Sequence, residues 1–483
     1  MKTEILRMEN VITEDNDKTD LNNLNLYIFQ GEIVGLIGVN EHGKEMLIQL
    51  ICRNTPIKFG RIYIGNNLVN SFRHSDGLYN KVYVIEQKSK LVNDLSVADN
   101  VFVLRKGFRK YRINSHVLET QIAYLSKELD LTIHPDTICG NLTEYERCVV
   151  EIMKAMVQGV KLIVVNELSN FLSANDLHAF NELLRQLTYK KYAILYIGNH
   201  HEEIFPLCER VAFMKDGKII KWFDKKDMHQ SKVLPYTIPF ADTHTEEAKN
   251  KHRVLLEFEN ITTENMKGIS FSLHQGECAV VYDKSNRVQK DIMKLYLKNK
   301  SFLSGICKYD GQRLNPDNYA KYLGKEVAVI GENPIDTMLF YEMSYIDNLC
   351  FLLDNKTNKS RITKKIKKSI QLEYDKELGE ELYANDIHEL SKTSLYNLVY
   401  YRIHLLNPKL VLLIQPFGKA DMYLRRHIIH LIRILKRKEI AVIILAVSIS
   451  DCLYVADKLL LLEEGKVKET YYPDTFSQIT DSN

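Results

Sequence analysis

The sequence carries one template twice. Met8-Glu-Asn-Val-Ile-Thr returns as Phe258-Glu-Asn-Ile-Thr-Thr, and Leu26-Tyr-Ile-Phe-Gln-Gly-Glu32 returns 245 positions later as Phe271-Ser-Leu-His-Gln-Gly-Glu277. Leu95-Ser-Val-Ala-Asp-Asn100 returns as Met343-Ser-Tyr-Ile-Asp-Asn348, Leu142-Thr143 as Leu390-Ser391, and Met214-Lys-Asp-Gly-Lys218 as Leu462-Glu-Glu-Gly-Lys466, each 248 positions on. A near-constant offset along the whole length marks a duplicated unit of about 240 residues. Each copy needs its own apolar core, and a chain of 483 residues is too long for a single one. The expected division is a first domain over 1–222, a polar and charged linker over 223–252 (KKDMHQSK, HTEEAKNK) and a second domain over 253–483.

Each half alternates short all-apolar strands with helices. In the first, a strand over Ile33 to Ile37 runs into a Gly-containing loop and a helix over Glu45 to Cys52. Later a helix over Glu146 to Val157 leads to a buried strand, Leu162 to Val165, and a further helix leads to a strand from Ala193 to Ile197. Apolar strands separated by helices predict a parallel sheet covered on both faces, an α/β fold. The bulk composition excludes several classes. With 65 basic and 62 acidic residues the net charge is +3, which offers nothing to a nucleic acid. The eight cysteines are scattered without CxxC spacing, so neither a zinc site nor a disulfide framework is expected and a reducing cytosol fits best. The polar N-terminus does not read as a signal peptide. The longest apolar runs, such as Ile440 to Val447, fall well short of the roughly 20 residues that span a bilayer, so direct membrane insertion is not expected.

The loop after the first strand carries the chemistry. Gly38-Val-Asn-Glu-His-Gly43-Lys44-Glu45 fits GxxxxGK followed by Ser or Thr at every position but the last. In such a loop, backbone N–H groups and the N-terminus of the next helix surround phosphate, and the lysine neutralises it. The terminal hydroxyl normally ligates Mg²⁺. Here Glu45 takes its place: a carboxylate there either reaches the metal or, as the leading expectation has it, repels the phosphate beside it.

Beyond this loop the whole chain resembles the fused two-domain ATP-binding subunit of ABC importers for monosaccharides, the ribose and galactose type. Val-Asn-Glu-His-Gly-Lys-Glu is similar to that family's ENGAGKS. Asn141-Leu-Thr-Glu-Tyr-Glu-Arg-Cys-Val-Val-Glu-Ile-Met-Lys-Ala-Met156 resembles its signature region LSVGQQQMVEIAKAL, Leu162-Ile-Val-Val-Asn166-Glu167-Leu-Ser its LIMDEPT, and the run Glu203 to Lys218 its EIFEICDRVTVMRDGK. The resemblance implies two tandem ABC-type P-loop nucleotide-binding domains, each a mainly parallel sheet with helices plus a helical subdomain. It implies ATP and Mg²⁺ as ligands. In the first half it assigns nucleotide binding to Gly38, Asn40, Gly43, Lys44, Glu45, Gln87, Asn166 and Asn199, and the general base to Glu167. Ser391, at the start of the second signature, is expected to face the first loop across a head-to-tail interface.

The departures from the family pattern are concentrated at those positions. The aspartate that helps hold Mg²⁺ is Asn166, whose amide lacks the charge a hard cation requires. Glu167 either remains a residual general base or now caps or salt-bridges its surroundings. The switch histidine aligns with Asn199, one place before His200. The second half has lost more: its loop reads Tyr282-Asp283-Lys-Ser-Asn-Arg-Val-Gln-Lys290, and Ile414 and Gln415 replace the metal ligand and base. In the signatures, Tyr145 and Thr393 replace the key glycine, Tyr145 is expected to obstruct close approach, and Glu144 and Glu146 are expected to repel phosphate. His200-His201-Glu202 reads as a solvated turn rather than a metal site, and Lys364 to Lys368 as a solvated helix face.

The leading expectation is an importer-type subunit with impaired or absent ATP hydrolysis, a regulatory or structural partner of transmembrane permease subunits. It would sit in the cytoplasm at the inner face of the membrane, contact the permease through the grooves around Gln87 and Glu332, and reach a sugar-binding protein only indirectly. Two alternatives stay open: a working importer ATPase with one non-standard site, and a cytosolic pseudo-ATPase that binds a regulatory protein. A ribosome-acting two-domain factor is disfavoured, because such factors keep both sites intact and carry a long basic arm between domains.

Overall fold

The computed structural model describes residues 3–13, 20–75, 79–102, 115–129, 131–168, 171–236, 253–283, 287–297, 303–314, 326–353, 362–418 and 420–480. The chain divides into two compact units, Met1–Pro239 with Asp421–Tyr423, and Phe240–Ala420 with Leu424–Asn483.

In the first unit the strand Ile33–Gly38 is buried at all six positions, as its unbroken apolar sequence requires. It lies inside a six-stranded sheet in the order Lys218–Asp224, Arg210–Lys215, Ile33–Gly38, Ala193–Gly198, Leu162–Asn166, Val82–Glu86. Every pairing is parallel except the hairpin between the first two strands. A second, antiparallel sheet runs in the order Leu24–Phe29, Glu4–Ile12, Phe59–Ile64, Asn67–Ser71, His74–Ser75. The helix Lys44–Cys52 shares a core with both sheets: Leu47, Leu50 and Ile51 pack with Leu6, Met8 and Leu26 and with Val34 and Leu36. The other face of the parallel sheet is covered by Glu144–Val157 and Ala174–Tyr189, whose apolar stripes meet Ile33, Ile163 and Tyr196. The signature helix starts two residues earlier than its apolar pattern indicates, because Thr143 caps it.

The second unit repeats the plan. Its parallel-core sheet runs Val327–Ile330, Leu410–Ile414, Ala441–Ala446, Cys278–Asp283, Lys458–Glu463, Lys466–Tyr471, and its antiparallel sheet Ile269–His274, Val254–Thr262, Ser304–Tyr309, Gln312–Arg313. The duplication extends to single dihedrals. Glu167 and Gln415 both take left-handed backbone, at φ 55° and 44°, as do Asp216 and Glu464 at 50° and 48°. Gly60 and Gly305 stand at φ 101° and 108°, and a Cβ on either would come within 2.6 and 2.5 Å of the carbonyl oxygens of Glu9 and Asn260, so only glycine fits.

Side-chain devices are duplicated too. Glu32 accepts from the backbone N–H of Phe29 and pairs with Arg210 at 2.8 Å; Glu277 accepts from that of His274 and pairs with Lys458 at 2.7 Å. Asn100 is buried and ties its own helix start to the preceding loop, accepting from Val92 N at 2.8 Å and donating to Val92 O and Ser96 O. Asn348 repeats this with Phe340 and Ser344 and also accepts from Arg402.

Parts of the sequence-level organisation are corrected. Residues 223–236, expected as the start of a linker, belong to the first unit: Phe223 lies within the strand Lys218–Asp224 and in the core, and Val233 is fully buried. Residues 237–252 lie outside the described residues. His200 is buried, not solvated, because it stands at the N-terminus of the short helix His201–Ile204 directly after the buried strand Ala193–Gly198. Lys364–Lys368 open the helix Lys364–Leu378, as expected of a helix face, although Lys367 pairs with Asp347.

The duplicated asparagines generate a stability prediction. Asn348→Ala leaves buried backbone groups without their partner and should lower unfolding free energy by about 2–3 kcal/mol. Asn100→Ala should do the same in the first unit. Urea unfolding of each variant measures both losses.

Candidate nucleotide site

Parallel pairing decides what meets. Ile37 is in register with Gly198, and Asn166 with Ile197, so the residues that follow these three strands emerge at one edge of the sheet, the place where open α/β sheets take ligands. The first loop is pinned there by its own contacts. Val39 N donates to Met214 O at 2.8 Å, while Asn40 donates to Asp216 at 2.7 Å and accepts from its backbone N–H at 3.2 Å. Gly43 caps the helix Lys44–Cys52 in left-handed conformation, φ 82°. A side chain there would strike the carbonyl oxygen of Asp20. At Gly38 a Cβ would lie 2.7 Å from Cδ of Lys44, so the lysine stem folds back across this glycine.

Lys44 is buried, and its ammonium ends in a cluster of oxygens. It donates to Glu167 Oε1 at 2.8 Å and to Asn199 Oδ1 at 3.0 Å, and it pairs with Glu41 Oε1 at 2.7 Å. Asn199 also donates to Glu167 Oε1, at 3.1 Å. Burial alone would lower the lysine pKa, but the charges of Glu167 and Glu41 outweigh it and hold the pKa above its usual value. Lys44 is therefore a cation at neutral pH, facing two carboxylates. Glu167 reaches this position from a left-handed backbone fixed by a hydrogen bond from its N–H to Ile197 O at 2.9 Å.

The structure thus assembles Gly38, Asn40, Gly43, Lys44, Glu167 and Asn199. The other expected residues stand apart. Glu45 is exposed on the first helical turn. Asn166 is half-buried at its strand end, and Gln87 is half-buried past the strand Val82–Glu86, three places along the sheet from Ile33–Gly38. Ser391 belongs to the second unit, where its hydroxyl caps the helix Lys392–Leu406 by accepting from Ser394 N at 3.1 Å. In the first signature, Glu146 accepts from Thr143 N at 2.7 Å in a capping box. Its carboxylate is bound to the helix start rather than offered to a ligand. Tyr145 is half-buried against the core of its own unit.

Sequence reasoning missed three features. Glu41 was a variable position of the loop, although an acid in a phosphate loop is itself a signal. Glu151 is a buried carboxylate in the apolar run Val-Val-Glu-Ile-Met. It accepts from Ser89 Oγ and Lys90 N at 2.7 Å each, tying the signature helix to the segment after Gln87, and burial raises its pKa. In the second unit, Asp283 is buried at the strand end and accepts the backbone N–H of Val288, the first residue of the helix Val288–Leu297, at 2.7 Å. There Gln415 repeats the hydrogen bond of Glu167 with Leu445 O at 3.0 Å, and buried Val447 stands at the position of Asn199.

A lysine-bearing phosphate loop that joins a central parallel strand to a helix, a glutamate at the end of a strand two places along the sheet, and an antiparallel sheet packed against the loop helix together make the fold of an ATP-binding cassette. Residues 21–170 match the model of the family described as ABC transporter. Along nearly its whole length the chain is similar to ribose and galactose import ATP-binding proteins. It is 23% identical over 493 residues to the ribose import ATP-binding protein RbsA of Clostridium perfringens (strain SM101 / Type A), covering 99% of this chain and 97% of that one. It is 22% identical to the galactose/methyl galactoside import ATP-binding protein MglA of Haemophilus influenzae (strain ATCC 51907 / DSM 11121 / KW20 / Rd), covering 96% and 93%. Among solved structures, ribosome-bound archaeal Pelota and ABCE1 aligns over 98% of this chain and 80% of that one, with a TM-score of 0.64 and 14% identity, a likeness of fold alone.

The charge cluster makes a prediction. Lys44→Met leaves Glu41 and Glu167 facing each other. Their side chains keep 33% and 21% exposure, so the loss should fall below that of a fully buried pair, at about 1–3 kcal/mol in urea unfolding. Because the folded pKa of Lys44 is raised, its contribution is complete below the unfolded value of 10.5 and is lost as pH rises through the folded value. The difference between wild type and variant should therefore stay level from about pH 6 to about pH 9.

Proposed function

We propose that the chain is an ATP-binding subunit of the sugar-import type in which ATP hydrolysis is impaired or lost, acting as a regulatory or structural partner of transmembrane permease subunits. The reading puts it in the cytoplasm at the inner face of the membrane, with a sugar-binding protein reached only through the permease. Among the described residues no helix is long and apolar enough to cross a membrane.

One contrast carries the reading. The first cassette keeps the glycine turn and the lysine that receive phosphate, while Glu45 and Asn166 stand at the metal positions and Asn199 at the switch position. A hard dication needs anionic oxygens. The donor set offers an amide at Asn166 and an exposed Glu45 on the outer side of the first turn, and this does not fit Mg²⁺. Glu167, the residue that would activate water, is instead paired with Lys44. In the second cassette Ile414, Gln415 and Val447 leave neither metal ligand, base nor polar switch residue. Nucleotide hydrolysis depends on positioning and charge neutralisation, so losing several such terms from one site lowers the rate by orders of magnitude.

Calorimetric titration of the purified protein with Mg-ATP, with Lys44→Ala as control, tests the site. Micromolar to millimolar binding that Lys44→Ala abolishes is expected. Turnover should lie on the order of a hundred-fold or more below 1 per second, the slow end of the roughly 1 to 1000 per second of typical enzymes. Turnover in that range would instead mark a working importer ATPase with a non-standard site. Co-purification with a sensor or other regulatory protein, and with no membrane-spanning subunit, would mark a cytosolic pseudo-ATPase.

A further inference from the structure

A phosphate loop binds its anion with two kinds of group, the backbone N–H groups at the start of the following helix and the ammonium of its lysine. In this chain each cassette has brought a carboxylate of its own to one of them. In the first, Glu41 lies three residues before Lys44 in the loop itself, and its Oε1 is 2.7 Å from the lysine Nζ. Glu167 holds the same nitrogen from the opposite strand at 2.8 Å. In the second, the aligned position of Gly38 is Asp283, with the same offset of 245 seen at Glu32 and Glu277. Its carboxylate, almost wholly buried, accepts the N–H of Val288, a group that a phosphate would otherwise take.

The two substitutions arise at different points of the loop and satisfy different groups, yet each supplies an anion where the fold is built to receive one. A tethered carboxylate competes at a high effective concentration, because it never leaves the site. An incoming phosphate binds only the fraction of molecules in which that carboxylate has moved away, and its apparent affinity falls by that fraction. In the first cassette the pair also ties the loop to the start of its helix, because Glu41 lies in the loop and Lys44 opens the helix Lys44–Cys52. For Asp283 the benefit is local to the helix start, where an anion offsets the helix dipole. For Glu41 it is charge balance at a buried lysine.

We propose that Glu41 and Asp283 are built-in stand-ins for phosphate, Glu41 at Lys44, where it sets nucleotide affinity low, and Asp283 at the N–H that opens the helix Val288–Leu297. The part concerning Glu41 rests on the reading of the first cassette as a nucleotide site; the part concerning Asp283 does not. Titration with Mg-ATP should give Glu41→Gln and Glu41→Gly an affinity at least about ten-fold above wild type, a gain that Lys44→Ala removes when combined with either. Equal affinity for wild type and both variants overturns the role of Glu41 and leaves the nucleotide site standing. No binding by any of the proteins at millimolar Mg-ATP overturns both. For the second cassette, thermal unfolding of Asp283→Ala is compared with and without millimolar inorganic phosphate, against sodium chloride of equal ionic strength. The variant should melt lower than wild type and recover part of the loss in phosphate only, while Asp283→Asn, which keeps the acceptor, should lose less. A variant that melts lower with no phosphate-specific recovery, or that melts like wild type, overturns the role of Asp283.

Discussion

The parallel pairing of Ile33–Gly38 with Ala193–Gly198, and of that strand with Leu162–Asn166, is the constraint on which the first site depends. Lys44, Glu167 and Asn199 are far apart in sequence and belong to three different strand ends. They meet because parallel strands end on the same side and because each central strand is apolar at nearly every position, which forbids a shift of register toward solvent. The Glu167 backbone completes the arrangement. Its left-handed dihedral turns the side chain back toward the loop, and the hydrogen bond to Ile197 O holds it there.

The duplication separates what the fold needs from what the chemistry needs. Glu32 and Glu277 with their cationic partners, Asn100 and Asn348, and Gly60 and Gly305 perform the same work in both units. Each satisfies buried backbone or permits a close approach, and replacing any of them leaves a buried group unpaired or a clash. The site positions are not bound in this way. Gln415 keeps the backbone geometry of Glu167 with a different side chain, and Val447 takes the place of Asn199 within an apolar environment. The sheet retains its shape when the residues at its rim change, so the two cassettes have kept one architecture while their chemical inventories have drifted apart.

Much of the fold was legible in the sequence because strand burial and repetition are periodic signals. The all-apolar strands, the helix after the phosphate loop and the repeat offsets reappear in the structure with boundaries shifted by one or two residues. The capping box explains the shift at Glu144: Thr143 and Glu146 form a local motif that outlies the apolar pattern. The continuation of the first unit through residues 223–236 was hidden by its charge, since Lys221, Lys225 and Lys226 surround the few apolar side chains that anchor it. For the site, motif matching named Lys44, Glu167 and Asn199, and the structure brings their side chains together. It could not find Glu41 or Asp283 as participants, because their effect depends on where the side chain turns. It also expected Glu146 to repel phosphate, whereas a nearer backbone donor, Thr143 N, holds its carboxylate.

On the proposed reading, Glu41 and Asp283 bear on why a chain would keep a nucleotide fold without turning over ATP. An empty phosphate cradle presents converging N–H groups and a buried ammonium, an electrostatic arrangement that is poor without an anion. A cassette that turns over ATP resolves this with its substrate. A cassette that does not must either loosen the loop or supply the negative charge from within. Glu41 and Glu167 around Lys44, and Asp283 at the N–H of Val288, follow the second course. On that reading the packed core that the loop helix, the strand before it and the antiparallel sheet form in each unit would not depend on nucleotide. A subunit retained for its protein contacts would need that independence, since the surfaces it presents would otherwise change with the nucleotide supply.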